Sequence, residues 1–173
     1  MMFKIYTILI LLVIFCTNCV AQKIEHDDTT NVSKATDLQN TLESKCVYDH
    51  ESILLIEERK SLEKTISKFN YDTGIVILIV TTHSIGRFPD FRSYTMNLGN
   101  VYSQETNNDN IIVIVVSKAL KKVEIATSDK TKETLTDDLC KVVIYESFLP
   151  EFKKGNFYSG IEKGLGKIIT NWK

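Results

Sequence analysis

Five short oxygen-bearing side chains, Asp49, Asn108, Asp109, Asp137 and Asp138, are of types suited to holding a hard cation. Carboxylate and amide oxygens of mixed charge match Ca2+, or Mg2+ with part of its water retained. Each also has an ordinary structural reading. Asp49 reads as a turn residue, Asp137 as a helix cap and Asn108-Asp109 as a solvated loop. Acidic groups gathered without a basic partner repel one another, by roughly 4 kcal/mol for a 4 Å pair at an effective dielectric constant near 20. A bound cation would relieve that repulsion. The expectation is therefore that Asp49, Asp137 and the Asn108-Asp109 turn meet at one end of a sheet. Replacing Asp49 or Asp137 by Ala would then remove a Ca2+-dependent thermal shift and alter metal-free stability little.

Other chemistry has little support. His26, His50 and His83 are scattered, and no pair has the spacing of a helical metal site. No Gly-rich phosphate loop follows a strand, and there is no Gly-x-Ser-x-Gly elbow. The Asn107 to Asn110 run lacks the Gly and the distal Glu of a calcium-binding helix-loop-helix. Cys46 and Cys140 fit no zinc pattern. In an exported domain they could form one bridge, or remain two buried thiols acting as small hydrophobes. Cys46 lies three residues before Asp49, and Cys140 three after Asp137. A shared aspartate site would bring the cysteines within the roughly 7 Å between Cα atoms that a bridge needs.

The elements that would position these residues start after a leader. Lys4 and the apolar run from Ile8 to Phe15, followed by Cys19-Val20-Ala21, read as a secretory signal peptide over residues 1–21, cut after Ala21. The rival reading is a lipoprotein signal with Cys16 or Cys19 taking lipid. Residues 22–45 are polar, too poor in apolar surface to offset ordering entropy, and read as a flexible tether. Asn31-Val32-Ser33 matches a glycosylation sequon, a three-residue pattern that arises often by chance. The 173-residue chain carries a net charge of −1 with acids and bases mixed. That excludes a basic stripe for nucleic acid and a polybasic face for anionic lipid. The expected product is exported, periplasmic or extracellular, and without a membrane span.

Residues 46–173 read as one domain. An opening extended segment, Cys46 to Asp49, leads to a helix over 55–69, with Leu55, Leu62, Ile66 and Phe69 on one face. Asn70 ends it, and Gly74 turns the chain into an apolar strand reaching Thr82. Pro89 suits the first turn of a second helix, carried by Phe91, Tyr94, Leu98 and Val101 to about Ser103. Ile111 to Val116 is six consecutive β-branched residues, the pattern of a central strand buried on both faces. Val123 to Ala126 follows so closely that it must pair antiparallel, because a parallel crossover needs a dozen residues or more. A polar loop, residues 127–132, leads to a helix over 135–148 with Thr136 or Asp137 at its cap, stopped by Pro150. A last helix covers 157–172, its Gly160, Gly164 and Gly166 marking close packing on the sheet. The fold class is α/β, a mixed sheet sandwiched by helices in three layers.

This order of elements resembles the TPM-domain family of thylakoid-lumen and bacterial exported proteins, over about Val47 to Ile169. Val47-Tyr48-Asp49, Leu55 with Glu58, Thr73-Gly74, Asn108-Asp109-Asn110 with its apolar run, and Leu135-Thr136-Asp137 are similar to motifs of that family. Pro150-Glu-Phe-Lys-Lys-Gly-Asn-Phe-Tyr-Ser-Gly160 is the most specific match. Asn110 stands where the family has Gly, a left-handed position that Asn tolerates less well. Residues 126–133 replace a Gly-x-Gly-Leu-Glu segment, and Ile56 occupies a position where a capping Ser is common. The resemblance implies a helix-covered sheet and links the chain to divalent metal binding, phosphatase activity, and assembly or repair of membrane complexes. Three readings follow: a Ca2+ (or Mg2+) binding module, an interaction domain for an envelope or membrane protein, and a metal-assisted phosphatase using the same carboxylates.

Overall fold

The computed structural model describes residues 45–172. The signal peptide, its lipoprotein alternative, the sequon, His26 and all of the tether except Lys45 lie outside the described residues. The first strand, β1 (Val47–Asp49), pairs parallel with β2 (Val76–Thr81), and β2 pairs parallel with β3 (Ile111–Ser117). The hairpin strand β4 (Lys122–Thr127) closes the order β1-β2-β3-β4 antiparallel to β3. The mixed sheet and the antiparallel hairpin are as the spacing predicts.

Helix α1 (Ile56–Thr73) and the last helix, α6 (Phe157–Thr170), cover one face of the sheet. Helix α2 (Phe91–Thr106) covers the other, lying over β3 and β4. Alternation along β3 feeds both layers. Ile112, Ile114 and Val116 join Leu62, Ile66, Ile161 and Leu165 in the larger core. Ile111, Val113 and Val115 join Phe91 and Ala126 in the smaller one. All seven residues of β3 are buried, which accounts for its unbroken β-branched run.

Helix α1 runs past Asn70. Thr73 Oγ1 donates to the Phe69 carbonyl, Lys68 pairs with Asp72 at 3.1 Å, and the stop comes at Gly74 in the left-handed region, φ 73°. At its start Leu55 is the cap residue, and Glu58 accepts from the Leu55 N–H at 2.7 Å. That is half of a capping box, made without the missing Ser. Pro89 lies just outside α2. Asp90 is the cap, accepting from the Ser93 N–H at 2.7 Å and its hydroxyl at 3.0 Å.

Three further expectations are corrected. The polar loop after β4 contains a short helix, α3 (Asp129–Lys132), capped by Ser128. Pro150 does not stop the next helix. Helix α4 (Asp137–Val143), capped by Thr136, continues through a π-helical turn (Ile144–Phe148) into α5 (Leu149–Phe152), with Pro150 in its first turn. The widened turn ahead of the proline accommodates a residue that lacks an N–H and crowds the carbonyl four residues back. Gly160 and Gly164 pack closely, but on aromatic rings rather than on the sheet. A Cβ on Gly164 would lie 1.9 Å from Phe148 Cε1, and one on Gly160 2.6 Å from Phe152 Cε1. Nothing lies within 4 Å of a Cβ built on Gly166.

Candidate functional site

The five oxygen-bearing residues are positioned by elements that do not converge. Asp49 ends β1, opposite Thr81 of β2, which is in turn opposite Val116 of β3. Asn108 and Asp109 precede Ile111, at the other end of β3. At the usual rise per residue, Ile111 and Val116 alone are about 17 Å apart along the strand. Parallel strands put the exit of β1 and the entry of β3 at opposite rims.

Each of these side chains has partners of its own. Asp49 accepts from the Ile53 N–H at 3.2 Å, the Leu54 N–H at 2.9 Å and the Thr81 hydroxyl at 2.7 Å. The same Thr81 oxygen accepts from the Glu51 N–H at 2.9 Å. The Glu51 carboxylate accepts from the Lys118 and Ala119 N–H groups, at 2.7 and 3.0 Å. Asp49 therefore anchors the segment between β1 and α1, and Glu51 ties that segment to the β3–β4 turn. Asn108 accepts from the Asn110 N–H at 2.9 Å, a local Asx turn. The left-handed residue of this connection is Asn107, φ 51°, and Asn110 has no positive φ. The family's glycine is thus replaced at a position where this chain does not need one.

Asp137 opens α4 and faces bases, Lys132 at 3.3 Å and Arg92 at 3.8 Å. Arg92 also holds Glu124 of β4 at 2.9 Å. Asp138 pairs with Lys141 at 2.9 Å, and that hydrogen bond holds its carboxyl below the usual range. The expectation of acids without bases is corrected for Asp109, Asp137 and Asp138, which pair with lysine or arginine, while Asp49 is held by backbone N–H groups and a hydroxyl. Among the described residues, no group of three or more His, Cys, Asp and Glu is placed to hold a metal ion.

No disulfide joins Cys46 and Cys140, though both are buried. Cys46 precedes β1 at one edge of the sheet, and Cys140 lies near Glu124 of β4 at the other. Three strand spacings, about 14 Å, separate those edges, twice the span of a bridge. Burial, helped by the Asp137 and Glu124 carboxylates, pushes the Cys140 thiol up to about 11.

Asp109 opens on a concavity. A cleft of about 380 Å³ lies between α2 and the β3–β4 pair, at the rim where β3 begins. Met96, Asn100 and Ser103 of α2 form one wall. Ile111, Val113 and Ala126 form an apolar floor, and Asp109, Ser128, Asp129 and Lys130 stand at the mouth. Gly99 permits the helix to come this near: a Cβ there would meet Val113 Cγ2 at 3.2 Å. Asp109 accepts from the Ser103 hydroxyl at 2.7 Å and approaches Lys130 only to 4.0 Å. The opposite bank is pinned to β3, since the Ser128 N–H and the Thr131 hydroxyl both donate to the Ile111 carbonyl, at 3.1 and 3.0 Å. Mixed polar and apolar lining on pinned elements suits ligand binding.

Asn100, Ser103, Ser128, Asp129 and Lys130 were not singled out by sequence reasoning. The available signal was the replacement of the Gly-x-Gly-Leu-Glu segment by residues 126–133, which supply one bank of the cleft. Asn100 and Ser103 are polar residues on an amphipathic helix, indistinguishable in sequence from solvated ones.

Comparison with known proteins agrees with this architecture. Among solved structures, the N-terminal domain of a P. gingivalis protein has a TM-score of 0.68 at 20% identity, covering 78% of this chain and 86% of that one. The N-terminal domain of the cg2496 protein from Corynebacterium glutamicum has a TM-score of 0.58 at 11% identity, covering 91% and 88%. The BA42 protein from the psychrophile Bizionia argentinensis has a TM-score of 0.55 at 20% identity, covering 70% and 83%. These likenesses establish the fold. No curated protein matches the chain. A sequence model of the TPM domain matches residues 47–171, from the first residue of β1 to beyond the end of α6. With the sheet order, the helical layers and this match in agreement, the chain belongs to the TPM domain family.

Proposed function

We propose that this TPM domain is an interaction module of the cell envelope, exported from the cytoplasm, that receives a segment of an envelope or membrane protein in the α2–β4 cleft. The carrying observation is the cleft itself: about 380 Å³, with an apolar floor and a polar mouth on pinned elements. Asp49, Asn108, Asp137 and Asp138 support this reading over a shared cation site, because their oxygens are engaged at separate places on the sheet's periphery.

The test is site-specific photo-crosslinking in the producing cell, with a photoreactive side chain in place of Met96 and, as a control, in place of Tyr71. Met96 lines the cleft, and Tyr71 is 91% exposed on α1. The expected result is a discrete adduct from position 96 and none from 71, abolished by Asn100→Trp, which fills the cleft from an exposed helix position. Two results would overturn the reading. One is a saturable rise in melting temperature with Ca2+ or Mg2+ that Asp109→Asn removes, without any adduct. The other is turnover of a phosphate ester that the same substitution abolishes.

A further inference from the structure

The chemistry of the cleft narrows its occupant, given the reading of it as an interaction site. We infer that it takes a basic side chain, the lysine or arginine of an extended partner segment. Three features of the lining argue for this together.

The floor is carbon: Ile111, Val113 and Ala126 from the strands, with Met96 overhanging from α2. Met96 is half exposed, and its unbranched thioether adapts to what lies against it. A hydrated metal ion makes no use of such a floor. The aliphatic stem of lysine or arginine does, lying along apolar surface while its head group stays at a polar rim.

The rim is acidic on both banks. Asp109 stands where β3 begins, and Asp129 opens α3. Among the described lining residues the one cation is Lys130, paired with Asp109 at 4.0 Å, so the mouth holds two carboxylates against one ammonium. The electrostatics disfavour a phosphate or a carboxylate and favour a cation. Guanidinium and ammonium groups both supply charge-assisted donors to such oxygens.

The volume accommodates a long side chain together with part of the segment that carries it. A cleft of about 380 Å³ is at the small end of sites for discrete ligands. Gly99 brings α2 close to Val113 of the floor, where even a Cβ would be tight. A stem can enter from the Asp109–Asp129 mouth and lie along the apolar floor. Specificity would then lie in the charge of the head group and the length of the stem.

The experiment titrates the full chain with blocked tripeptides centred on lysine, arginine, norleucine or glutamate, and with CaCl2, reading amide shifts by two-dimensional NMR. Lysine and arginine peptides should give saturable shifts at Gly99, Ser103, Asp109 and Ala126. Norleucine, which keeps the stem and lacks the charge, should bind about ten-fold more weakly or worse, the loss of one charge-assisted contact. Asp109→Asn and Asp129→Asn should each weaken lysine binding, and their spectra show directly that the fold is kept. Equal binding of norleucine would make the cleft merely apolar. Binding of glutamate, shifts with CaCl2 alone, or no saturable shift with lysine or arginine would each overturn the inference. A photo-adduct at position 96 alongside any of these failures leaves the interaction site standing and removes only its basic occupant.

Discussion

Thr81 and Asp49 are direct partners in the parallel β1–β2 register, and the Thr81 hydroxyl donates to Asp49 Oδ1 at 2.7 Å. The bond sits at the carboxyl rim of the sheet, where α/β folds commonly place ligands. Here the rim is closed by the protein's own groups. Asp49 holds two backbone N–H groups of the following segment, and Glu51 holds two of the β3–β4 turn.

Asp49 and Asp137 should therefore respond differently to truncation. Asp49→Ala leaves three donors without their acceptor and should lower unfolding free energy by about 2–4 kcal/mol. Asp137→Ala removes two half-exposed ion pairs and should cost no more than about 1 kcal/mol. Urea denaturation of the two variants measures the difference; equal small losses would contradict the anchoring role of Asp49.

Glu151 makes stability pH-dependent at the acid end. Glu151 belongs to α5, and its carboxylate is bonded to Lys154 and Asn156 of the following turn and to Lys163 of α6. The Lys163 hydrogen bond, then that of Asn156, hold its pKa down at about 2. A carboxyl depressed below its unfolded value, near 4.3, contributes stability that is fully present above that value. The contribution fades as pH falls toward 2. Thermal melts between these limits should show Glu151→Gln with a flatter acid slope than the wild type. Parallel slopes would show that Glu151 does not titrate in this window.

The glycines of α6 should separate cleanly. Gly164→Ala drives a methyl group into the Phe148 ring and should destabilise by about 2–3 kcal/mol, as overpacking does. Gly166→Ala meets open space and should stabilise by about 0.5–1 kcal/mol through helix propensity. Denaturant midpoints decide it, and a neutral Gly164→Ala would mean that the stacked Phe148 and Phe152 rings yield.

Cys140 should stay unreactive while the domain is folded. A thiol buried and raised to about 11 offers almost no thiolate at neutral pH. Alkylation at pH 8 followed by peptide mapping should label Cys140 only after unfolding, without prior reduction. Rapid labelling of the native protein, or a requirement for reductant, would contradict the buried-thiol assignment.

Much of the fold was legible in the sequence because it depends on local pattern. A run as short and as β-branched as Ile111 to Val116 reads as a strand buried on both faces. The short gap to Val123 left the second strand no route but an antiparallel hairpin. The π-helical turn before Pro150 and the helix within residues 127–132 escaped that logic. Each depends on what packs against it. Phe148 seats on Gly164, and Thr131 bonds the first carbonyl of β3.

The site depended on tertiary structure more heavily. Composition identified oxygen-rich residues, and Asp109 among them does face the cleft. The meeting of Asp49 with Asn108-Asp109 required their strands to end at one rim, and strand direction is decided by pairing across the sheet. Parallel pairing of β1, β2 and β3 sent them to opposite rims. What stands beside Asp109 instead, Ser103 from α2 and Asp129 and Lys130 from beyond β4, comes from separate parts of the chain. Those neighbours are set by where α2 crosses the sheet, and the near contact of Gly99 with Val113 is a fact of packing that residue spacing does not encode.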